Sequence, residues 1–191
     1  MSNNVNFITT KYIKDNSPIL DYVSDDELKT FIKPAQDMNM ERVLGTRLFK
    51  RLKEGITNNN LNSDELVLLR EYIQPCLMYW TIYQYILWAN FKMTNKAVSK
   101  QNSDNSNPSE LYEVNYLKSN ISDWSEYYSQ RITDYLRDNF QLYPQYYEGT
   151  DGPSEKFPDS KNYLFGGMFI PERKWLDTPE RTRWSTWPLN F

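Results

Sequence analysis

The sequence predicts an all-α protein: a small helical bundle with a kinked central helix, plus a long extended C-terminal arm. Two observations carry this. Leu66, Leu69, Ile73, Cys76, Trp80, Tyr83 and Leu87 recur at alternating intervals of three and four, as one buried face of a helix requires. Residues 144–191 then hold six of the ten prolines and four of the six glycines, and no helical period is sustained there. The expected organisation is an extended N-terminal segment over 1–23, a helical domain over 24–143 and the arm over 144–191.

Taken in order, "NFITTKYI" is β-prone and reads as a short strand or extended arm. Ser24 then precedes Asp25, Asp26 and Glu27, a capping-box start for a helix whose stripe is Leu28, Phe31, Ile32 and Ala35. Pro34 removes a hydrogen bond from mid-helix, so a kink or restart is expected there. The pattern resumes at Met40, Val43 and Leu44, and Gly45 is a natural stop. "TRLFKRLKEGI" is a further short amphipathic helix, and "TNNNLN" a loop. Ser63 is the expected cap of the central helix, which Pro75 should kink without ending. Leu68, Tyr72, Tyr79 and Ile86 give that helix a second apolar face, so it should be wrapped by others.

"SKQNSDNSNP" reads as a polar loop. Asn107 then caps, with Pro108 at the first helical position, and Leu111, Val114, Leu117, Ile121, Trp124, Tyr128, Ile132 and Tyr135 form the stripe of a long last helix. Its expected end is near Leu142, before Pro144.

Composition narrows the chemistry. The 191 residues carry a net charge of −3 and no histidine, with Cys76 the single cysteine. An intrachain disulfide, a Cys/His zinc site and histidine-based catalysis are therefore excluded. The acidic balance argues against a general nucleic-acid binder. "MSNNVNFITTKYIKDN" has neither the cationic start nor the apolar run of a signal peptide. "CLMYWTIYQYILWANF" is short for a membrane span and interrupted by Thr81, Gln84 and Asn90.

No catalytic constellation is found. "YLFGGMF" lacks phosphate-loop spacing, and Cys76 lies on the apolar stripe as a core filler. Asp64/Glu65 and Asp123/Glu126 fit helix starts or solvated faces better than a metal site. The tyrosines at 72, 79, 83 and 85, with Trp80 and Trp88, read as a helical core or subunit interface rather than a base-stacking platform. The arm is too aromatic for an ordinary disordered tail. Trp175, Arg181, Arg183, Trp184, Trp187 and Phe191 are its expected partner-binding residues, the alternative being an arm folded back on its own core.

Four pieces of sequence carry a resemblance: "PAQ" at 34–36, "LG" at 44–45 with "LF" at 48–49, "YIQPCLMYW" at 72–80 and "FKMTNKAV" at 91–98. Over roughly residues 7–140 the chain resembles the head–tail connector (adaptor) proteins of tailed bacteriophages, in the branch of Bacteroidetes and crAss-like phages. The resemblance implies a structural virion protein made in the host cytoplasm and placed at the head–tail junction. It implies a homo-oligomeric ring, a dodecamer, beneath the portal protein, offering a docking surface to the tail or further neck proteins. Genome DNA would pass through without specific binding. It also implies no enzyme activity, no cofactor, no metal and no membrane association. The alternative expectation is a monomeric helical binding module of host-takeover type, whose arm captures one partner.

Overall fold

The computed structural model describes residues 5–19, 23–89, 91–93, 98–100, 111–147, 155–158, 163–164 and 168–169. The chain divides into two units, Met1–Asp159 and Ser160–Phe191. The first is helical, as expected, apart from one short strand pair. The helical unit therefore runs some way past the expected boundary at 143/144. In the second unit Tyr163–Leu164 pairs antiparallel with Met168–Phe169.

Helix α1 (Thr10–Asn16) begins where the Thr9 hydroxyl accepts a hydrogen bond from the Tyr12 amide. A helix thus occupies part of the segment expected to be extended. Its β-prone composition is outweighed by that cap and by the burial of Ile13. Helix α2 (Asp25–Ala35) starts where predicted, but Ser24 makes no side-chain cap. Asp25 instead reaches Lys14 of α1 at 2.6 Å. That hydrogen bond holds the Asp25 carboxyl below its usual range.

Pro34 is followed by a π-helical turn, Gln36–Met40, leading into α3 (Glu41–Asn58). Pro75 is preceded by another, Leu68–Ile73, which joins α4 (Ser63–Val67) to α5 (Gln74–Ala89). A proline leaves a carbonyl without its amide donor, and a wider turn re-registers the ladder without ending the helix. Both kinks place a glutamine where it clasps the N-terminal segment. The buried Gln36 accepts from the Phe7 amide (2.8 Å) and donates to the Val5 carbonyl (2.9 Å). Gln74 donates to the Phe7 carbonyl (3.0 Å). Phe7 is thereby held in the core, edge-on to Phe49 at 5.4 Å.

At Gly45 the backbone leaves helical geometry (φ 73°, ψ 157°), and the helix restarts at Thr46. The expected stop is real, a break inside one continuous element. Asn59, left-handed at φ 51°, ends α3. The cap of α4 is Asn62, one residue before the expected Ser63: its carboxamide accepts from the Glu65 amide while Glu65 accepts from its own.

Helix α5 packs between α2 and α6 (Leu111–Asp138). Leu69, Ile73, Cys76 and Trp80 are buried as predicted, and so are Leu77, Met78, Thr81 and Ile82. Leu87 is only half-buried. From Tyr83 to Ala89 no residue of α5 is buried, so the stripe leaves the core where the end of the helix does. The last helix ends at Asp138, short of Leu142, and is followed by a 3₁₀ turn (Phe140–Leu142) and helix α7 (Pro144–Tyr147). The expected cap at Asn107 and Pro108 lies outside the described residues. Between α5 and α6, β1 (Phe91–Met93) and β2 (Val98–Lys100) form an antiparallel pair where no strand was expected.

Candidate assembly surface

The buried side of α6, which forms a seam with α5, carries Val114, Ile121 and Ile132 as predicted, with Leu136, and small polar residues between them. Ser125, Ser129 and Thr133 are buried, each giving its hydroxyl hydrogen to the carbonyl four residues back. This removes the cost of burying a hydroxyl and leaves room for bulk opposite. Because Ser129 donates to Ser125, its oxygen is free to accept. It takes the Trp80 indole N–H at 3.1 Å and lies 3.4 Å from the Cys76 sulfur. Burial pushes the Cys76 thiol up to about 12, so it is held protonated and unreactive.

Along the edge of this seam the aromatic rings stack across the two helices. Tyr72 lies on Tyr135 at 4.1 Å and Tyr79 on Tyr128 at 5.1 Å. Arg131 sits between them, over Tyr72 (5.3 Å) and Tyr128 (5.5 Å). Tyr79 also meets Trp124 edge-on at 5.6 Å. Tyr83 packs on Trp80, and Tyr85 on Phe31. The tyrosine stripe of α5 is therefore spent on intramolecular packing.

The outer face of α6 has a different character. Tyr112 is 77% exposed, Tyr116 65%, Tyr127 63% and Trp124 52%, with Leu117 beside them. Leu117 and Trp124 were expected on the inner stripe. The small hydroxyl residues take that place, and a reading by hydrophobicity ranks them too low to see it.

A third feature ties down the chain on both sides of α7. The buried Tyr143 donates to the Asp64 carbonyl at 2.8 Å, and burial raises its hydroxyl above the usual range. Further on, residues 155–158 lie across the break in α3. The Thr46 amide donates to the Lys156 carbonyl (3.0 Å), and the Lys156 amide donates to the Thr46 hydroxyl (2.9 Å). Glu155 pairs with Arg47 (3.2 Å) and Lys50 (3.5 Å), while Lys156 reaches Glu41 (3.4 Å). A Cβ on Gly45 would stand 2.8 Å from Pro158 Cδ. Only glycine serves there, for its φ and for this approach. The first part of the expected arm thus folds back on the helical unit.

The predicted partner-binding residues Trp175, Arg181, Arg183, Trp184, Trp187 and Phe191 all lie outside the described residues. Of the acidic pairs, Glu65 is buried rather than solvated, held bidentately by Arg51 at 2.8 and 2.9 Å. Glu126 faces Arg42 at 3.3 Å. Among the described residues no group of three or more potential ligands is placed to hold a metal ion, and no helix is long and apolar enough to cross a membrane. An open groove along α3 is lined by Val5, Glu41, Phe49, Lys53, Glu54 and Thr57 among others.

The chain matches no curated protein and no solved structure. One family pattern matches residues 40–155, the stretch from the end of the first π-helical turn through α3, the α5–α6 seam and α7 to Glu155 of the clasp. That match takes in more than half of the chain, and the protein accordingly belongs to the family of unknown function DUF6712.

Proposed function

We propose that the protein is a structural connector subunit at the head–tail junction of a tailed bacteriophage. Its helical unit assembles as a homo-oligomeric ring beneath the portal and extends the DNA channel. The C-terminal segment, with Trp184, Trp187 and Phe191 as anchors, binds a neighbouring subunit, the portal or a tail protein. In this reading it is a scaffold, neither an enzyme nor a cofactor protein.

The observation that carries the reading is the division of the chain. A helical body is followed by a separate unit, Ser160–Phe191, that holds three of the six tryptophans, and the chain leading to it is pinned at Gly45 by the clasp. A fixed root and adhesive residues beyond it suit an arm that engages a partner. Many arms acting together in a ring bind far more tightly than one, through effective concentration. The resemblance over residues 7–140 supports the same reading, and the net charge of −3 suits a channel that DNA must traverse without sticking.

Reconstitution with the portal encoded in the same genome, imaged by electron microscopy, tests this. A ring on the portal is expected, and a chain lacking residues 180–191 should keep its helical content yet fail to incorporate. Purified virions without the protein, or tight salt-sensitive DNA binding by the isolated chain, would overturn the reading.

A further inference from the structure

Two segments outside the helices are pinned to the helical unit, and they are pinned differently. The N-terminal one sends Phe7 and Ile8 into the core, where both are buried, so it cannot leave without uncovering aromatic and aliphatic surface. The clasp sends nothing inward. None of residues 155–158 is buried, and the Phe157 ring is 55% exposed. Its ties to α3 include the two hydrogen bonds at Thr46 and the ion pairs of Glu155 and Lys156. In those pairs the side chains of Lys50 and Lys156 stand mostly in solvent. A segment that buries so little opens far more often than the core beneath it, and exposed ion pairs hold it less firmly as salt rises.

The notch that receives the clasp is fixed from the other side. Leu44 and Leu48, on the two flanks of the break at Gly45, are both fully buried in the core cluster. The Thr46 hydroxyl also donates to the Glu41 carboxylate at 2.9 Å, within α3 itself. Withdrawal of residues 155–158 therefore uncovers a formed notch, and reclosing needs no refolding of the helix.

We propose that the clasp is a reversible ionic latch. Residues 155–158 detach from α3 as a unit while the rest of the helical unit stays folded, and detachment lengthens the free chain that leads to the C-terminal segment. Latched, that chain is rooted at Pro158. Released, it is rooted at the end of α7, which the buried Tyr143 and Tyr146 hold in place. The eleven residues from 148 to 158 then add up to roughly 36–40 Å of reach, at about 3.3–3.6 Å each. The latch stands without the connector reading; its use, to carry an arm onto a partner, rests on it.

Native-state hydrogen exchange on the full chain is the test. The Thr46 and Lys156 amides bond across the clasp. They should exchange together, at least a hundredfold faster than the Phe7 amide that Gln36 holds in the core. Raising salt from about 0.1 to 1 M shortens the screening length from about 10 to 3 Å. That should speed both amides at least threefold and leave Phe7 unchanged. Glu155→Lys should speed them at least tenfold at low salt with helical content intact, and adding Lys50→Glu should reverse most of the effect. Protection of Thr46 and Lys156 equal to that of Phe7 would make the clasp a permanent part of the fold and overturn the proposal. So would faster exchange at Phe49 and Leu52 in step with them, since the notch would not then outlast the clasp. Opening indifferent to both salt and Glu155→Lys refutes the ionic latch. On the portal, Thr46 and Lys156 should lose protection. A complex that forms with both still protected removes the arm-lengthening role and leaves the connector reading standing. No complex at all, from a chain whose latch opens as expected, removes the connector reading and leaves the latch.

Discussion

Helix α6 has two faces of opposite design. The inner one sets small hydroxylated residues (Ser125, Ser129, Thr133) among aliphatic ones (Val114, Ile121, Ile132, Leu136), and it is buried. The outer one is large and aromatic (Tyr112, Tyr116, Trp124, Tyr127), yet it is open to solvent. Which side turned inward was decided by fit against α5. That helix presents Trp80 and Cys76 to Ser125 and Ser129, and a second ring opposite Trp80 would overfill the seam. Aliphatic and small residues fill the seam, and the rings with polar tips stand outside it.

Substitutions at five positions probe this contrast. The largest effect belongs to the seam. Trp80 is 6% exposed, and Trp80→Ala should cost about 3–5 kcal/mol by cavity formation. For a chain of this size that lowers the thermal midpoint by roughly 6–20 °C. A midpoint within a degree of wild type would mean that Trp80 does not fill the seam.

Next comes the clasp. Gly45→Ala places a Cβ in a backbone region essentially reserved for glycine, costing about 1–3 kcal/mol, and drives it against Pro158. Hydrogen exchange at Thr46 and Lys156 should speed up in parallel, because both amides bond across the break. Unchanged protection at those two amides would remove residues 155–158 from the fold.

Ser129→Ala changes volume little but takes away the acceptor of the Trp80 indole N–H. The expected loss is about 1–2 kcal/mol, that of a buried donor left unpaired. Ser129→Cys is a weaker acceptor and should fall between the two in a urea titration. If Ser129→Ala is neutral, the hydroxyl ladder serves only to keep the seam narrow.

The smallest effect is expected on the outer face. Tyr116→Ser or Tyr127→Ser should shift stability by no more than about 0.5 kcal/mol. A loss comparable to that of Trp80→Ala would show that these rings pack within the subunit.

Much of this protein could be read from its residues alone. The helices from Asp25 to Ala89, the break at Gly45, the core role of Cys76 and the burial of Ile73 and Trp80 all come from periodicity and from the distinctive backbone needs of glycine and proline. These are local properties, carried by a few neighbours in the chain. What escaped depended on residues far apart. The π-helical turn before Pro75 is one such feature, and the emergence of α5 from the core after Ile82, which left Leu87 half-buried, is another. Gln36 and Gln74 were visible beside their prolines, but nothing nearby shows that both hold Phe7.

Residue order alone dictated an all-α unit, a chemistry without histidine, and a C-terminal segment set apart by its prolines, glycines and tryptophans. Packing in three dimensions settled where the helical unit stops and which face of α6 is hidden. Residues 155–158 join that unit because Gly45 opens the backbone for Lys156 and Pro158 to enter. Ser125 and Ser129 are interior because Trp80 and Cys76 lie opposite. In both cases burial is a property of the pair of surfaces that meet, and neither surface carries it alone.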